Sequence, residues 1–394
     1  MGNVCDSPAG ERSEEEPAAA LTLTPIREHF GVVAEGVDLS EASDAQLRAL
    51  RAAVYAHGFV LVRGQAHITL DDELRLARAF PHQDDPPGVS YTGGASKQAK
   101  LPAPYSDIAV IGSFDLADYH GLTASSRGVY PDWPEGQRAW HCDGLADTVP
   151  PPDLTTMRCV QTPSAGGETL FACSRRAAEL LPRDLPHAPE RVLLRYSLPA
   201  RSALDPSGRV VASREGRKGD TAEGGDDVNV AAGTLVPLVA REPHSGARAL
   251  CATYHVEGGY ALGADGRAAR ALSFEEARDY LDAARGVGDE AEALSPQARD
   301  YLDAAWAPGT ADELVYAHRW EVGDVIAWTN RLVWHSATST RKYTGEARVH
   351  HRIRMRAGDG FGVRAWDAAT AAWAEAHERA FETDDEEDEE DEED

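Results

Sequence analysis

The most informative segment for the fold is Arg348-Val349-His350-His351-Arg352-Ile353-Arg354-Met355-Arg356, near the end of a chain of 394 residues. Its even positions are all basic, and its odd positions hold Val, His, Ile and Met. Because the side chains of a β-strand alternate between two faces, this pattern predicts a strand with one basic face and one largely apolar face. Taken alone, such a strand is typical of a sheet edge that is protected by charge.

The residues before this strand favour a functional role for its basic face. Asp324 to Trp328 predicts a buried strand, Thr329-Asn330 a turn, and Leu332-Val333-Trp334-His335 a second strand. His335 therefore lies shortly before a row of arginines. With a histidine at that position, the edge interpretation loses most of its weight.

A second candidate segment is Trp140-His141-Cys142-Asp143-Gly144. If it forms a strand, the side chains of His141 and Asp143 point to the same face and can reach the same ion. Two other His-x-acid triplets occur, at His82-Gln83-Asp84 and at His255-Val256-Glu257. The first lies in a proline-rich loop and favours a surface position, whereas the second lies at a predicted strand end and is the more serious rival.

Two histidines and one carboxylate on one side of a metal leave positions open for other ligands, as in non-haem Fe(II) oxygenases. A 2-oxo acid can chelate such an iron, and dioxygen can take the remaining position. If the 2-oxo acid is 2-oxoglutarate, its far carboxylate needs a partner in a partly dry pocket, and arginine offers a bidentate one. Arg348 or Arg352 is placed for this role.

Length and composition predict one large domain between two disordered terminal segments. With 42% apolar residues, the chain can bury a sizeable core between residues 21 and 381. Residues 1–20 and the acidic tail 382–394 are predicted to be disordered. A flexible insertion is predicted at about 204–233, and a long lid or binding segment at about 87–139.

Charge and cysteine usage limit the partners and the compartment. The net charge is −27, of which twelve charges belong to the acidic tail, so the body carries −15. This balance argues against nucleic acid. The sequence has no run of 18 apolar residues and no apolar signal-peptide core, and its five cysteines fit free thiols, so the cytoplasm is expected. Gly2 and Cys5 leave an N-terminal lipid anchor as a minor alternative, since Asp6 breaks the motif.

Local signals predict several elements. Ser43 or Asp44 caps a helix that stops at Gly58, and the strand Phe59 to Arg63 follows. Thr69 with Asp72 resembles a capping box for a second helix. Further strands are predicted at Thr155 to Gln161, Leu235 to Ala240 and Ala249 to His255, with a helix capped by Ser174.

Six short motifs along the chain together resemble one known protein family. From about Leu21 to Arg356 the chain resembles the TauD/TfdA family of Fe(II)- and 2-oxoglutarate-dependent dioxygenases. Six pieces stand in family order: Gly36-Val37-Asp38-Leu39, His57-Gly58-Phe59-Val60-Leu61-Val62-Arg63-Gly64, Trp140-His141-Cys142-Asp143, Gly166-Gly167-Glu168-Thr169-Leu170-Phe171, the strand pair from Gly323 to His335, and the segment from Arg348 to Arg352.

The resemblance implies a mainly β fold with flanking helices (α+β), built on a double-stranded β-helix, or jelly roll. It implies that His141, Asp143 and His335 are the iron ligands and that Thr169 and Arg348 hold 2-oxoglutarate. Arg352 matches a position that holds the anionic group of the substrate in members acting on sulfonates. His335 lies about two residues farther from Arg348 than is usual in the family, which leaves the choice between Arg348 and Arg352 for 2-oxoglutarate open.

The implied reaction hydroxylates a small organic substrate, expected to be anionic, with 2-oxoglutarate and O₂ consumed and succinate and CO₂ released. Fe(II) is the implied metal. Two alternatives remain: a catalytically silent jelly-roll binding module and a zinc-dependent hydrolase on the same triad. The second lacks the H-E-x-x-H helix of zinc peptidases. A homo-oligomer remains open, and Cys142 is expected to pack in the core because it alternates with the two ligands.

Overall fold

A computed structural model of the chain describes residues 21–80, 99–127, 141–145, 151–181, 185–196, 234–251, 256–262, 268–272, 276–277, 315–338, 346–356 and 364–365. Both predicted disordered ends, the insertion at 204–233, the triplet at 82–84 and His255 lie outside these residues, and so do Gly2 and Cys5.

The helices are α1 (Asp44–His57), α2 (Leu70–Ala79) and α3 (Ser174–Glu179), with a 3₁₀ turn at Pro189–Arg191. The strands are β1 (Thr22–Pro25), β2 (Val32–Glu35), β3 (Phe59–Val62), β4 (Ala99–Lys100), β5 (Ala109–Tyr119), β6 (Leu122–Arg127), β7 (Pro152–Gln161), β8 (Thr169–Cys173), β9 (Val192–Tyr196), β10 (Thr234–Pro237), β11 (Val239–Arg241), β12 (Arg248–Leu250), β13 (Val256–Leu262), β14 (Ala268–Leu272), β15 (Val315–His318), β16 (Val325–Thr329), β17 (Val333–Ala337), β18 (Arg348–Arg356) and β19 (Arg364–Ala365).

Helices α1 and α2 begin and end where local sequence signals place them. Ser43 caps α1 in a capping box with Gln46, and Gly58, at φ +83°, ends it. Thr69 and Asp72 form the predicted capping box of α2. Both helices bury an apolar face on the main sheet, where fully burying one leucine contributes about 2 kcal/mol.

In the described part of the chain, the main sheet has nine strands in the order β1-β2-β3-β16-β7-β18-β5-β4, with β6 paired to β5. The basic strand β18 pairs with β7 on one side and with β5 on the other. It is therefore an interior strand, and the interpretation of its charges as edge protection is wrong. Its odd residues Val349, Ile353 and Met355 belong to the core under α1 and α2, so its even residues face the opposite side.

A smaller sheet, in the order β15-β8-β17, packs against the other face of the main sheet. The rings of Phe59 on β3 and Phe171 on β8 are stacked with centroids 5.0 Å apart, and Trp328 on β16 meets Phe171 edge-on at 5.6 Å. Two sheets that enclose a shared apolar core are the arrangement expected of a jelly roll. The predicted fold class, mainly β with flanking helices, is confirmed.

Within the segment 87–139, predicted as a lid or binding segment, the described residues 99–127 contain β4, β5 and β6 of the main sheet. The rest of that segment lies outside the described residues. Two local predictions differ from the structure. The predicted strand Leu235 to Ala240 is split at Leu238, which bonds to Val192 instead. Cys173, and not Ser174, is the N-cap of α3.

Among the described residues, no helix is long and apolar enough to cross a membrane.

Candidate active site

The structure brings His141, Asp143 and His335 together. One ligand atom from each of the three side chains lies within 4.8 Å of the other two. The Nε2 atoms of His141 and His335 are 4.0 Å and 3.9 Å from the same atom, Oδ1 of Asp143. Asp143 and His335 are buried, and His141 is half-buried. Within the described part of the chain, this is the one cluster of three such side chains that could hold a metal ion.

A backbone pairing joins the two distant histidines. The N–H of His141 donates to the carbonyl of His335 at 3.1 Å, and the N–H of His335 donates back at 3.0 Å. In an antiparallel pair, directly opposite residues place their side chains on the same face. His141 therefore extends the smaller sheet beyond β17, and its ring lies 4.3 Å from that of His335.

Asp143 reaches the cluster without a strand of its own. Among the described residues 141–145, only His141 makes a β-bridge, and residues 143–145 form a turn. The prediction that strand alternation aligns His141 with Asp143 is therefore wrong in its reason, although the two side chains do meet. Cys142 packs in the core with Leu145, as expected, and burial raises the pKa of its thiol well above the ordinary value.

Charge around Asp143 keeps its carboxylate ionised. Burial alone would raise the pKa of this carboxyl group, but the neighbouring positive charges, with Arg352 as the largest contribution, hold the pKa well below its ordinary value. Burial and the neighbouring His141 lower the pKa of His335 to about 3, so its imidazole is neutral at physiological pH. An ionised carboxylate beside a neutral imidazole is the protonation state that metal ligation requires.

The donor set fits a divalent transition metal. Two imidazole nitrogens and one carboxylate oxygen, without a thiolate, match non-haem Fe(II). The other carboxylate oxygen of Asp143, Oδ2, accepts a hydrogen bond from the hydroxyl of Thr155 at 3.0 Å, which leaves Oδ1 facing the two histidines. Sequence reasoning missed Thr155, since nothing in its local pattern distinguishes it from other strand threonines.

A second group of side chains links the two sheets near Thr169. The guanidinium of Arg348, on β18, donates to the hydroxyl of Thr169 at 3.2 Å and to the carbonyl of Gly167 at 2.9 Å. The indole N–H of Trp320 also donates to this hydroxyl, at 3.0 Å. Burial lowers the pKa of Arg348 to about 10, so the guanidinium remains charged at neutral pH. The two residues expected to hold 2-oxoglutarate are thus in contact, and the role of Trp320 was not predicted.

Arg352 and Arg354 lie beside the His141, Asp143 and His335 cluster. The Nη1 atom of Arg352 donates to Oδ1 of Asp143 at 3.1 Å, and Nη1 of Arg354 lies 3.8 Å from the same oxygen. Both arginines are only 8% exposed, so these charges are little screened by water. The period-two spacing of β18 therefore separates Arg348, beside Thr169, from two arginines beside Asp143.

His350 lies between these two groups on the same face of β18 and is fully buried. Its ring meets Trp320 edge-on at 4.6 Å. Within the described residues neither of its ring nitrogens has a hydrogen-bond partner. Burial, and then the charge of Arg348, lower its pKa well below the ordinary value, so this imidazole is neutral.

Comparison with known proteins gives this geometry a family. The sequence profile of the family "Taurine catabolism dioxygenase TauD, TfdA family" matches residues 22–354. The α-ketoglutarate-dependent xanthine dioxygenase of Emericella nidulans is 25% identical over 86% of this chain and 98% of its own length. The α-ketoglutarate-dependent 2,4-dichlorophenoxyacetate dioxygenase of Cupriavidus pinatubonensis is 26% identical, over 84% of this chain and 95% of its own.

A solved structure shows the same fold. The crystal structure of a taurine dioxygenase from Burkholderia xenovorans superposes with a TM-score of 0.56 at 17% identity, over 90% of this chain and 98% of that one.

The chain belongs to the TauD/TfdA family. It is a 2-oxoglutarate (α-ketoglutarate)-dependent dioxygenase that uses Fe(II), 2-oxoglutarate and O₂ and acts on a small molecule, which confirms the predicted enzyme class and cofactors.

Proposed function

We propose that this dioxygenase hydroxylates a small organic anion, with His141, Asp143 and His335 as the Fe(II) ligands. The observation that carries the proposal is the pair of buried arginines, Arg352 and Arg354, beside the carboxylate of Asp143. Neither relative named above fixes the substrate, because xanthine and 2,4-dichlorophenoxyacetate differ in shape and charge. The substrate class is therefore argued from the charges of this chain.

Burial of the two guanidinium groups favours an anion. Arg352 and Arg354 each carry a positive charge, and both are only 8% exposed. An anion beside them is stabilised, because charges interact strongly where water is scarce.

We assign Arg348 and Thr169 to the far carboxylate of 2-oxoglutarate. Their mutual contact supports this assignment, as does the charge that Arg348 retains. Arg352, which contacts Asp143, is then left for the substrate. A guanidinium and a hydroxyl that converge on one place form a donor set suited to a carboxylate.

The chain's own groups prepare and orient the reactants. The neutral imidazole of His335 and the ionised Asp143 are in the forms that can ligate a metal. Bound Fe(II) supplies the O₂ chemistry that couples decarboxylation of 2-oxoglutarate to C–H hydroxylation. Arg348 orients the co-substrate, Arg352 and Arg354 orient the substrate, and the surrounding core excludes water. Neither the zinc hydrolase nor the silent binding module gains support from the comparisons.

The test is a matched panel of organic anions and their neutral analogues, such as a carboxylate and its amide or a sulfonate and its sulfonamide. We expect an anion, and not its neutral partner, to stimulate succinate release from 2-oxoglutarate with Fe(II) and O₂. Arg354→Gln should raise the KM for that anion about tenfold or more and leave the KM for 2-oxoglutarate nearly unchanged. Equal stimulation by neutral analogues would refute an anionic substrate.

Iron binding has its own test. Fe(II) and 2-oxoglutarate mixed with the protein without oxygen should give a visible charge-transfer band, and His141→Ala should remove it. A folded protein that gives no band would contradict the assignment of the ligands.

A cytoplasmic location also remains a proposal, supported by four buried cysteines without a disulfide.

A further inference from the structure

We propose that Thr155 is a positioning residue that fixes the carboxylate of Asp143 for metal binding, and that Asn330 sets the direction of its hydrogen bond. This inference rests on the proposed role of Asp143 as an iron ligand. Thr155 is fully buried and Asn330 is 2% exposed, so water does not replace their hydrogen bonds. Thr155 lies on β7 and Asn330 lies in the turn after β16, so the two residues meet only in the folded protein.

The orientation of the Asn330 side chain is determined by its neighbours. Its Oδ1 atom accepts from the backbone N–H of Asp143 at 3.2 Å and from the indole N–H of Trp328 at 3.1 Å. Both of these groups can only donate, so the oxygen of the amide must face them. The amide nitrogen then points the other way, towards Thr155 and the carbonyl of Pro152.

This orientation decides what the Thr155 hydroxyl does. The Nδ2 atom of Asn330 donates to Oγ1 of Thr155 at 3.1 Å, so the hydroxyl oxygen acts as the acceptor in that bond. The hydroxyl hydrogen is left to donate to Oδ2 of Asp143, 3.0 Å away. Asn330 therefore holds Asp143 twice, directly through the backbone N–H and indirectly through Thr155.

The result is a carboxylate whose two oxygens have different tasks. Oδ2 is held by Thr155, and Oδ1, which also accepts from Arg352, faces the imidazoles of His141 and His335. Rotation of the carboxylate would break the bond to Thr155, so one ligand geometry is favoured before the metal arrives. The platform is rigid, since β7 lies inside the main sheet and Thr155 pairs with residues 328 and 354 on its two sides.

The experiment compares Thr155→Val, Thr155→Ser and Thr156→Val in the full-length protein. T155V keeps the shape of the side chain and removes the donor, whereas T155S restores it. Thr156 is also buried and adjacent on β7, but its side chain points to the other face of the sheet, so T156V is the matched control. The readouts are the Fe(II) dissociation constant without oxygen and the charge-transfer band with 2-oxoglutarate.

We expect T155V to bind Fe(II) roughly 10- to 100-fold more weakly than wild type, with a shifted or weaker band, because partners of metal ligands commonly have effects of this size. T155S should remain within about threefold of wild type, and T156V should be unchanged. Equal affinity of T155V and wild type would refute the inference, as would equal losses in T155V and T156V, which would indicate general damage to the sheet.

Folding and the proposed function are tested separately. Thermal unfolding without metal shows whether T155V is folded. If it is not, Thr155→Cys, whose thiol is a weak donor, is measured instead. Its loss of Fe(II) affinity should be smaller than tenfold but larger than that of T155S. Wild-type protein that fails to bind Fe(II) would overturn the proposed iron site itself. Wild type that binds Fe(II) beside an equally competent T155V or T155C would overturn the role of Thr155 alone.

Discussion

Replacing Arg348 by lysine tests which arginine of β18 holds 2-oxoglutarate. Arg348 is 4% exposed and makes two hydrogen bonds across the gap between the sheets, one to Gly167 and one to Thr169. Arg348→Lys keeps the positive charge but removes the planar, multiply donating group. It changes the geometry of recognition more than the field in the pocket.

The expected loss follows from one charge-assisted hydrogen bond. Such a bond contributes about 1.5–3 kcal/mol, which corresponds to a roughly 10- to 100-fold increase in the dissociation constant for 2-oxoglutarate. The direct assay is a titration of the Fe(II)-loaded protein with 2-oxoglutarate in the absence of oxygen, monitored through the charge-transfer band. Thermal unfolding of the variant verifies that it folds.

Arg352→Lys is the matched control, because it is the same substitution four residues later on the same face of β18. It should leave the affinity for 2-oxoglutarate within about threefold of wild type and raise the KM for the substrate. The reverse result, with R352K weakening 2-oxoglutarate and R348K not, would show that the assignment of the two arginines is exchanged.

Three further predictions concern stability and accessibility. His350 is neutral and buried, with Arg348 and His318 facing it, so below its ordinary pKa of 6.5 the unfolded chain binds more protons and stability falls as the pH falls. Between pH 7.5 and 5.5, His350→Leu should therefore lose roughly 1.4 kcal/mol less than wild type in urea unfolding, and parallel pH profiles would contradict this. Gly112→Ala should lower the free energy of unfolding by at least about 2 kcal/mol, since φ is +133° and a Cβ would collide with the backbone of Arg348. Gly36→Ala, at φ +72° with open space around it, should cost only about 1 kcal/mol, so equal melting temperatures of the two variants would argue against the collision. The four buried cysteines should resist iodoacetamide until the protein unfolds, and mass spectrometry that finds any of them alkylated in the native protein would disprove their burial.

Features that depend on a few neighbouring residues could be predicted from the amino-acid sequence. Ser43, Gly58 and Thr69 act through hydrogen bonds and backbone angles within one turn, so the bounds of α1 and α2 are readable from the chain. The alternation at 348–356 determined a strand with a basic face, because period two needs no partner strand. The six motifs also indicated the family, since such a resemblance depends only on residue types and their order along the chain.

Contacts between residues that are far apart in the sequence became known only from the tertiary structure. The bridge between His141 and His335 depends on the pairing of two segments almost two hundred residues apart, and no local pattern encodes that pairing. The same holds for the position of β18 inside the sheet, which depends on its pairing with the distant strands β5 and β7.

The hydrogen bond from Thr155 to Asp143 is the clearest example of a contact that the sequence does not predict. A buried threonine on a strand carries no signal of its own, and its hydroxyl gains a direction only when Asn330, Trp328 and Asp143 surround it. Hydrogen bonds are short-range and directional, so a side chain's task is set by the groups that folding brings within about 3 Å of it. The sequence determined which residues can serve as ligands, and the fold decided which of their atoms face one another.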